Sequence, residues 1–360
     1  MDELTFEPEG FPALTFRSAS PEGFEWERLN VGRDDFKAAE IFPVFREVLT
    51  GRHSDERRAE IHVYAAEIDL KRVGLGIDYA RLLAAVWAPS NGDAVSHSAV
   101  FGEALGTSEA TEPGLRMRIS VFRRGKALLI VRAEAEEDDW SGFETEIATF
   151  VGSISFVEPA AEDPALQGAK TVRLDAPAEG GEIDTLEIVF PAHWRDLNLS
   201  APALDGKGDI RFLVDDADPL ENTGVMPFSF RLAEGRVPHG VEDGGRLASV
   251  LVEVLLTNML PGREPGLKPL AGGRYADLGD LTDFTGYYTF KVTIKDFPRA
   301  SAASALVTVN KDRIVGFASI SAYPEDLSLW GARLHVNYVK HQLEKAIRDY
   351  WERSAQSTSR

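Results

Sequence analysis

The sequence predicts an α+β protein of two tandem domains, each an antiparallel β-sheet flanked by helices. Three observations lead to this prediction. The chain has 360 residues, about twice the roughly 150 residues of a typical domain. Its hydrophobic fraction of 44% is that of a globular chain. The same order of helix, alternating strands and closing helix occurs on each side of a segment rich in proline and glycine.

The domain boundaries are predicted from local composition. Prolines, glycines and alanines interrupt residues 159–183, which are interpreted as a linker, with an edge strand at Thr171–Leu174 left open. The first domain is therefore expected at 1–158 and the second at 184–353. The small polar residues of 354–360 predict a disordered tail.

In the first half, apolar residues at helical spacing predict a helix from Ile77 to Ala88, ended by Pro89. Apolar and polar residues then alternate over Leu115–Phe122, which predicts a strand, and Ala127–Val131 forms a second strand after a Gly-Lys turn. The acidic run Glu136–Asp139 precedes Trp140. A helix is predicted after it, with a stripe of phenylalanines and isoleucines on its buried face.

The second half repeats this order. A helix is predicted from Gly245 to Leu260, followed by an alternating strand at Tyr288–Ile294. A hairpin is predicted from two apolar runs, Leu306–Val309 and Ile314–Ile320, which are joined by the turn residues Asn-Lys-Asp. Apolar residues from Val336 to Tyr350 recur at helical spacing and predict the last helix. The shared order indicates an internal duplication.

A family resemblance follows from these residues. The segment Leu115–Phe156 has an Arg-bearing strand, a Gly-Lys turn, an apolar strand and a helix ending in Ser-Ile-Ser-Phe. With the looser matches at Phe190–Trp194 and Tyr288–Trp351, it resembles the PsbP-like (DcrB-like) α/β/α sandwich superfamily, in two copies. The resemblance implies an antiparallel sheet with helices on both faces in each half. Superfamily members are mostly binding and assembly factors, including photosystem subunits, a nuclear-transport factor and bacterial adaptors for type VI secretion effectors.

Composition excludes several classes of function. A formal net charge of −19, with no block of lysine or arginine, argues against nucleic-acid binding and against docking on anionic lipid. The chain has no cysteine, which excludes disulfides, thiolate metal sites and cysteine nucleophiles. The apolar run Leu247–Leu260 is too short to span a membrane. The first residues have no basic and apolar signal-peptide pattern, so a cytoplasmic protein is expected.

The sequence contains no recognisable catalytic, cofactor or metal motif. None of the seven histidines has the His-x-x-x-His spacing of a helical metal site, so no metal site is predicted. Asp215–Glu221 resembles a calcium loop only faintly and is interpreted as a solvated acidic loop. Acidic runs at Glu136–Asp139 and Glu325–Asp326 precede helices, whose dipoles they complement. We therefore expect no catalytic residue and no cofactor.

Two sets of residues are candidates for a binding surface. Arg116, Arg118 and Arg132 lie on predicted strands and could bind an anionic group, the alternative being pairing with acids such as Glu134. Among the six tryptophans, Trp87 and Trp194 could line a groove, the alternative being core packing.

The functional prediction is a non-enzymatic binding or adaptor protein, whose partner is a protein segment held in a groove or at a sheet edge. A narrower form is a chaperone-like factor for a secretion effector. The alternative is a small-molecule-binding protein or enzyme with a scattered site between the domains. A monomer and a dimer both remain open.

Overall fold

A computed structural model describes most of the chain. The described residues are 3–32, 42–54, 59–69, 73–88, 105–112, 114–159, 166–177, 183–197, 208–216, 223–232, 237–275, 278, 281–294, 301–322 and 330–358. The chain divides into two compact units, unit 1 from Met1 to Ala165 and unit 2 from Leu166 to Arg360. No helix within the described ranges is long and apolar enough to cross a membrane.

Unit 1 contains two helices, α1 (Gly76–Trp87) and α2 (Trp140–Ser153). Its strands are β1 (Glu3–Phe6), β2 (Phe16–Ala19), β3 (Phe24–Gly32), β4 (Val44–His53), β5 (Ala59–Glu67), β6 (Leu105–Glu112), β7 (Leu115–Arg124), β8 (Ala127–Glu136) and β9 (Ser155–Phe156). Six of them form an antiparallel sheet in the order β3-β4-β5-β8-β7-β6, and β1, β2 and β9 form a small second sheet.

The two helices of unit 1 lie on opposite faces of the six-stranded sheet. Because successive strand residues point to opposite faces, Ile61 and Val63 of β5 are buried in one cluster with Phe143 of α2. Tyr64 lies on the other face, where its ring centroid is 5.5 Å from that of Trp87 in α1. Unit 1 is therefore a helix–sheet–helix sandwich.

Unit 2 also contains two helices, α3 (Val241–Met259) and α4 (Trp330–Thr358). Its strands are β10 (Lys170–Pro177), β11 (Ile183–Phe190), β12 (Trp194–Asp196), β13 (Gly208–Ile210), β14 (Leu213–Asp215), β15 (Gly224–Arg231), β16 (Pro265–Arg274), β17 (Phe284–Ile294), β18 (Ser301–Asn310) and β19 (Arg313–Ala322). The main antiparallel sheet has the order β12-β14-β15-β19-β18-β17-β16, with β13 paired to β15, and β10 and β11 form a separate two-stranded sheet.

Helices again cover both faces of the main sheet. Leu251 of α3 is buried in one cluster with Phe290 and Val307. The next residue, Thr308, points to the other face, where its Oγ1 accepts a hydrogen bond of 2.8 Å from Trp351 Nε1–H of α4. In both units, the strand before the first long helix pairs with the last strand of the meander that follows that helix: β5 with β8, and β15 with β19.

The α+β class and the four predicted helices are confirmed. The two-copy duplication remains a prediction, which the shared strand order supports. Two expected boundaries differ from the structure. Residues 170–177 of the expected linker form β10, which contains the edge strand left open at Thr171–Leu174, because Leu174 and Ala176 are buried on one face of that strand. The expected disordered tail continues α4 as far as Thr358, and Ser354 is buried with its Oγ accepting a hydrogen bond from Arg313.

Candidate functional site

The structure places Arg116 and Arg118 on the same face of β7. Their guanidinium carbons lie 5.3 and 5.7 Å from the ring centroid of Trp140, the first residue of α2. Both cations pair with Glu109 of β6, at 3.1 Å from Arg116 Nη2 and 2.9 Å from Arg118 Nε. Arg118 also donates to Glu144 at 2.6 Å. Burial opposes ionisation of Glu109, but hydrogen bonds from the two arginines lower its pKa below the usual value.

Arg132 lies on the opposite face of the sheet from the other two arginines. The register pairs Arg132 with Ile119, the neighbour of Arg118, and alternate residues face opposite sides. Its guanidinium lies 5.2 Å from the ring centroid of Trp87 and forms an ion pair with Glu134. The structure therefore separates the three arginines into two groups, each compensated by carboxylates. Anion binding by them stays a prediction.

Trp194 is fully buried in β12, so its ring does not line a surface groove. It pairs with Asp215 of β14, and its Nε1–H has no hydrogen-bond partner among the residues that the structure describes. Trp87 is only half-buried and packs against Tyr64 and Arg132. The two tryptophans are in different units, and each lies beside a cluster of histidine and carboxylate side chains.

The cluster in unit 1 surrounds one imidazole with three carboxylates, and we call it the His62 cluster: His62, Glu47, Glu60 and Glu134. His62 Nδ1 lies 2.6 Å from Glu47, and Nε2 lies 3.0 Å from Glu60 and 3.5 Å from Glu134. The His62 side chain is 12% exposed. Burial lowers its pKa, but hydrogen bonds and charge from Glu134 and Glu47 outweigh burial and raise it to about 9.

Because the pKa of His62 is about 9, its ring is protonated at neutral pH and both nitrogens act as donors. A protonated imidazole has no lone pair for a metal ion. Glu60, His62 and Glu134 are close enough to surround a cation, but the chemistry of this donor set is that of a buried ion cluster. Glu134 has a correspondingly lowered pKa: burial opposes its ionisation, whereas His62 and Arg132 favour it.

The cluster in unit 2 surrounds one carboxylate with two imidazoles, and we call it the Asp215 cluster: His193, Asp215 and His335. Asp215 Oδ2 lies 3.0 Å from His335 Nδ1, and Oδ1 lies 3.6 Å from His193 Nε2. The two imidazole rings stack with centroids 4.6 Å apart. Burial lowers the pKa of His193, and the neighbouring His335 lowers it further.

The Asp215 cluster joins three distant segments of unit 2. His193 directly precedes β12, Asp215 ends β14, and His335 lies near the start of α4, 120 residues from Asp215. Because these three residues are far apart in the sequence, the spacing rules for metal ligands do not identify them. The expected solvated loop at Asp215–Glu221 is wrong for its first residue, since Asp215 is buried. The remainder of that loop, beyond Asp216, and the acidic pair Glu325–Asp326 lie outside the described residues.

A groove of about 560 Å³ runs between β11 and α4 in unit 2. From β11 and the residues before β10, it is lined by Leu166, Asp184, Thr185, Glu187 and Val189. From α4, it is lined by Gln342, Lys345, Ala346, Asp349 and Arg353, which recur at helical spacing and so share one face. Its volume is in the range of ligand-binding clefts.

The groove exposes one backbone edge of β11. In the described part of the chain, β11 pairs with β10 on one side only. The Thr185 N–H donates to Asp184 Oδ1 at 2.7 Å, and its carbonyl accepts from Arg353 Nη2 at 3.1 Å, so both groups point away from β10. Because alternate residues of an antiparallel strand point their backbone groups to the same side, those of Glu187 and Val189 also point away from β10.

Two exposed side chains of α4 give the groove unpaired charge. Lys345 and Asp349 are exposed on adjacent turns, and neither forms an ion pair with any described residue. Arg353 is held 3.8 Å from Asp184, and Glu187 is held 2.8 Å from Arg173. The sequence did not predict this groove, because β10 and the start of β11 fall in the expected linker.

Comparison with solved structures finds several weak likenesses. Cyanobacterial PsbP (CyanoP) from Synechocystis sp. PCC 6803 aligns with 43% of this chain and 84% of its own, at 13% identity and a TM-score of 0.28. The Ran-binding protein Mog1p of Saccharomyces cerevisiae aligns with 50% of this chain and 92% of its own, at 10% identity and a TM-score of 0.27. The immunity protein TplEi of the Pseudomonas aeruginosa T6SS aligns with 87% and 95%, at 13% identity and a TM-score of 0.20.

No protein-family model and no curated protein matches the chain. The TM-scores of these matches are 0.28 or lower, so nothing about this chain is concluded from them.

Proposed function

We propose that this chain is a non-enzymatic binding protein that holds an extended segment of a protein partner in the groove between β11 and α4. The observation that carries the proposal is the backbone edge of β11, which faces the groove through Thr185, Glu187 and Val189. An extended peptide adds to such an edge as a further strand, and main-chain hydrogen bonds supply much of the affinity.

The chemistry of the groove specifies the occupant further. Val189 is 38% exposed and offers an apolar contact to a side chain of the added strand. Lys345 and Asp349 bind opposite charges, so the bound segment carries an acidic and a basic side chain in reach of α4. The groove is lined mostly by polar and charged side chains, so it does not favour a purely apolar segment. The favoured partner is therefore an extended, mixed-charge segment.

The experiment is affinity capture of the tagged full-length chain in its native host, followed by mass spectrometry. Two variants test the groove: Glu187→Pro removes the N–H that faces it while leaving the β10 ladder donors in place, and Lys345→Glu reverses an exposed charge. Glu253→Lys on α3 is the matched control, because Glu253 is exposed and outside the groove.

We expect the wild type and the control to capture the same protein, and both groove variants to capture at least about tenfold less of it. If the partner is a secretion effector, its identity will establish the narrower chaperone function. Equal capture by all four chains, or capture of no protein by the wild type, contradicts the proposal.

A further inference from the structure

We propose that His193, Asp215 and His335 form a binding site for one divalent d-block cation, with Zn²⁺ the best match to the donor set. One donor atom from each residue lies within 4.8 Å of the other two. Two imidazole nitrogens and a carboxylate oxygen are ligands that Zn²⁺ takes in proteins, leaving a fourth tetrahedral position for another ligand.

The spacing of the donors fits a small tetrahedral cation. Zinc–nitrogen and zinc–oxygen bonds of about 2.0–2.2 Å place neighbouring ligand atoms about 3.3 Å apart. His335 Nδ1 lies 3.0 Å from Asp215 Oδ2, and His193 Nε2 lies 3.6 Å from Asp215 Oδ1, so the two separations lie on either side of that value.

Burial supplies a second observation. The side chains of Asp215 and His335 are each 1% exposed, and that of His193 is 22% exposed. His193 Nε2, the nitrogen that faces Asp215, is buried without a hydrogen-bond partner among the described residues. An unpartnered buried nitrogen costs free energy, and binding to a metal compensates that cost.

The donor set also discriminates between cations. Calcium and magnesium prefer shells made of oxygen ligands, so two imidazoles disfavour them. Imidazole with carboxylate suits zinc and its neighbours in the first transition series. The cation would tie β12, β14 and α4 together, since the three ligands come from the residue before β12, the end of β14 and the start of α4.

The test uses the full-length chain, stripped with chelator and titrated with Zn²⁺. Bound metal is counted after dialysis by elemental analysis, and Co²⁺ is used as an optical probe whose visible absorption reports tetrahedral coordination. The variants are His193→Gln and Asp215→Asn, and His62→Gln in unit 1 is the matched control. Circular dichroism verifies that each variant is folded. If Asp215→Asn does not fold, His193→Gln still tests the proposal, because His193 is the most exposed of the three ligands and its substitution disturbs the fold least.

The expected result is one Zn²⁺ per chain for the wild type and His62→Gln, with a melting temperature raised by about 5 °C at saturation. His193→Gln is expected to bind Zn²⁺ at least about 100-fold more weakly and to lose the visible Co²⁺ bands. No bound Zn²⁺ in the wild type, or unchanged binding in His193→Gln, overturns the proposal. Loss of binding in His62→Gln also overturns it, because the metal would then belong to unit 1. The outcome is independent of the groove, which shares no residue with this site.

Discussion

The two units each bury a cluster of histidine and carboxylate side chains, but the ratio of the two groups is inverted. In unit 1 a single imidazole, His62, is surrounded by three carboxylates. In unit 2 a single carboxylate, Asp215, is shared by two imidazoles. Burial disfavours charge in both places. Glu134 and Glu47 outweigh burial at His62 and raise its pKa, whereas burial and the neighbouring His335 lower the pKa of His193.

The His62 and Asp215 clusters show that residue types alone do not distinguish an ion cluster from a candidate metal site. Both clusters contain histidine and acid at metal-ligand distances. In unit 1, both ring nitrogens of His62 face carboxylates, whereas in unit 2 the Nε2 atoms of His193 and His335 have no hydrogen-bond partner among the described residues.

The largest expected effect is from His62→Ala. Removing the cation takes a counter-charge away from the buried Glu47, so the free energy of unfolding of unit 1 should fall by about 3 kcal/mol. In unit 2, His193→Ala leaves the hydrogen bond between His335 and Asp215 in place and should cost only about 1 kcal/mol. Urea denaturation of each variant measures both values. Equal costs would remove the distinction between the clusters.

The contribution of His62 should depend on pH in a defined window. Its folded-state pKa is about 9, above the ordinary value of 6.5, so its stabilisation is fully present below pH 6.5 and is lost as the pH rises through 9. The measurement is the difference in unfolding free energy between wild type and His62→Gln from pH 6 to 10. A difference that stays constant, or that grows with pH, would contradict the assignment of a charged His62.

A smaller effect is expected from reducing the number of carboxylates. Glu134→Gln removes a counter-charge of His62 while keeping the side-chain shape, and it should lower the pKa of His62 by about 1. An NMR titration of the ring measures this shift. Glu242→Gln on α3 is the control, because Glu242 is exposed and pairs with Arg246 in unit 2. An unchanged pKa in Glu134→Gln would mean that the carboxylate count is not the cause.

The smallest effect concerns the hairpin turns that correspond in the two units. The first turn residue after β7 is Gly125 with φ of 61°, and the first after β18 is Lys311 with φ of 56°. Left-handed backbone favours glycine, so Gly125→Ala should destabilise unit 1 by about 1 kcal/mol. Lys311→Gly should be neutral or stabilise unit 2 by up to about 1 kcal/mol. Thermal unfolding measures both, and a destabilising Lys311→Gly would show that contacts of the lysine outweigh the backbone strain.

Local periodicity was sufficient to predict the fold class and the four helices. The predicted helix at Ile77–Ala88, for instance, corresponds to Gly76–Trp87, because helical spacing of apolar residues reports directly on which face is buried. The edge of β11 was not predicted from the sequence. Its neighbour β10 has few apolar residues and stands among prolines and glycines, so composition favoured a linker.

The Asp215 cluster could not be predicted, because its members are separated by long stretches of chain. Spacing rules detect ligands that share one helix or turn, and the pairing of Trp194 with Asp215 and the packing of α4 arise only in the folded unit. For the arginines, the alternative of pairing with acids such as Glu134 is what the structure shows for Arg132. Glu109, the partner of Arg116 and Arg118, was not identified from the sequence.

The most direct test of the contrast between the clusters is side-chain ¹⁵N NMR of the histidines in the full-length chain at pH 7.5, with and without one equivalent of Zn²⁺. We predict that His62 has the resonances of a doubly protonated imidazole in both samples, and that the His193 and His335 resonances alone shift when Zn²⁺ is added. A neutral His62, or a Zn²⁺-dependent shift at His62 with none at His193, would show that the two clusters do not differ in this way.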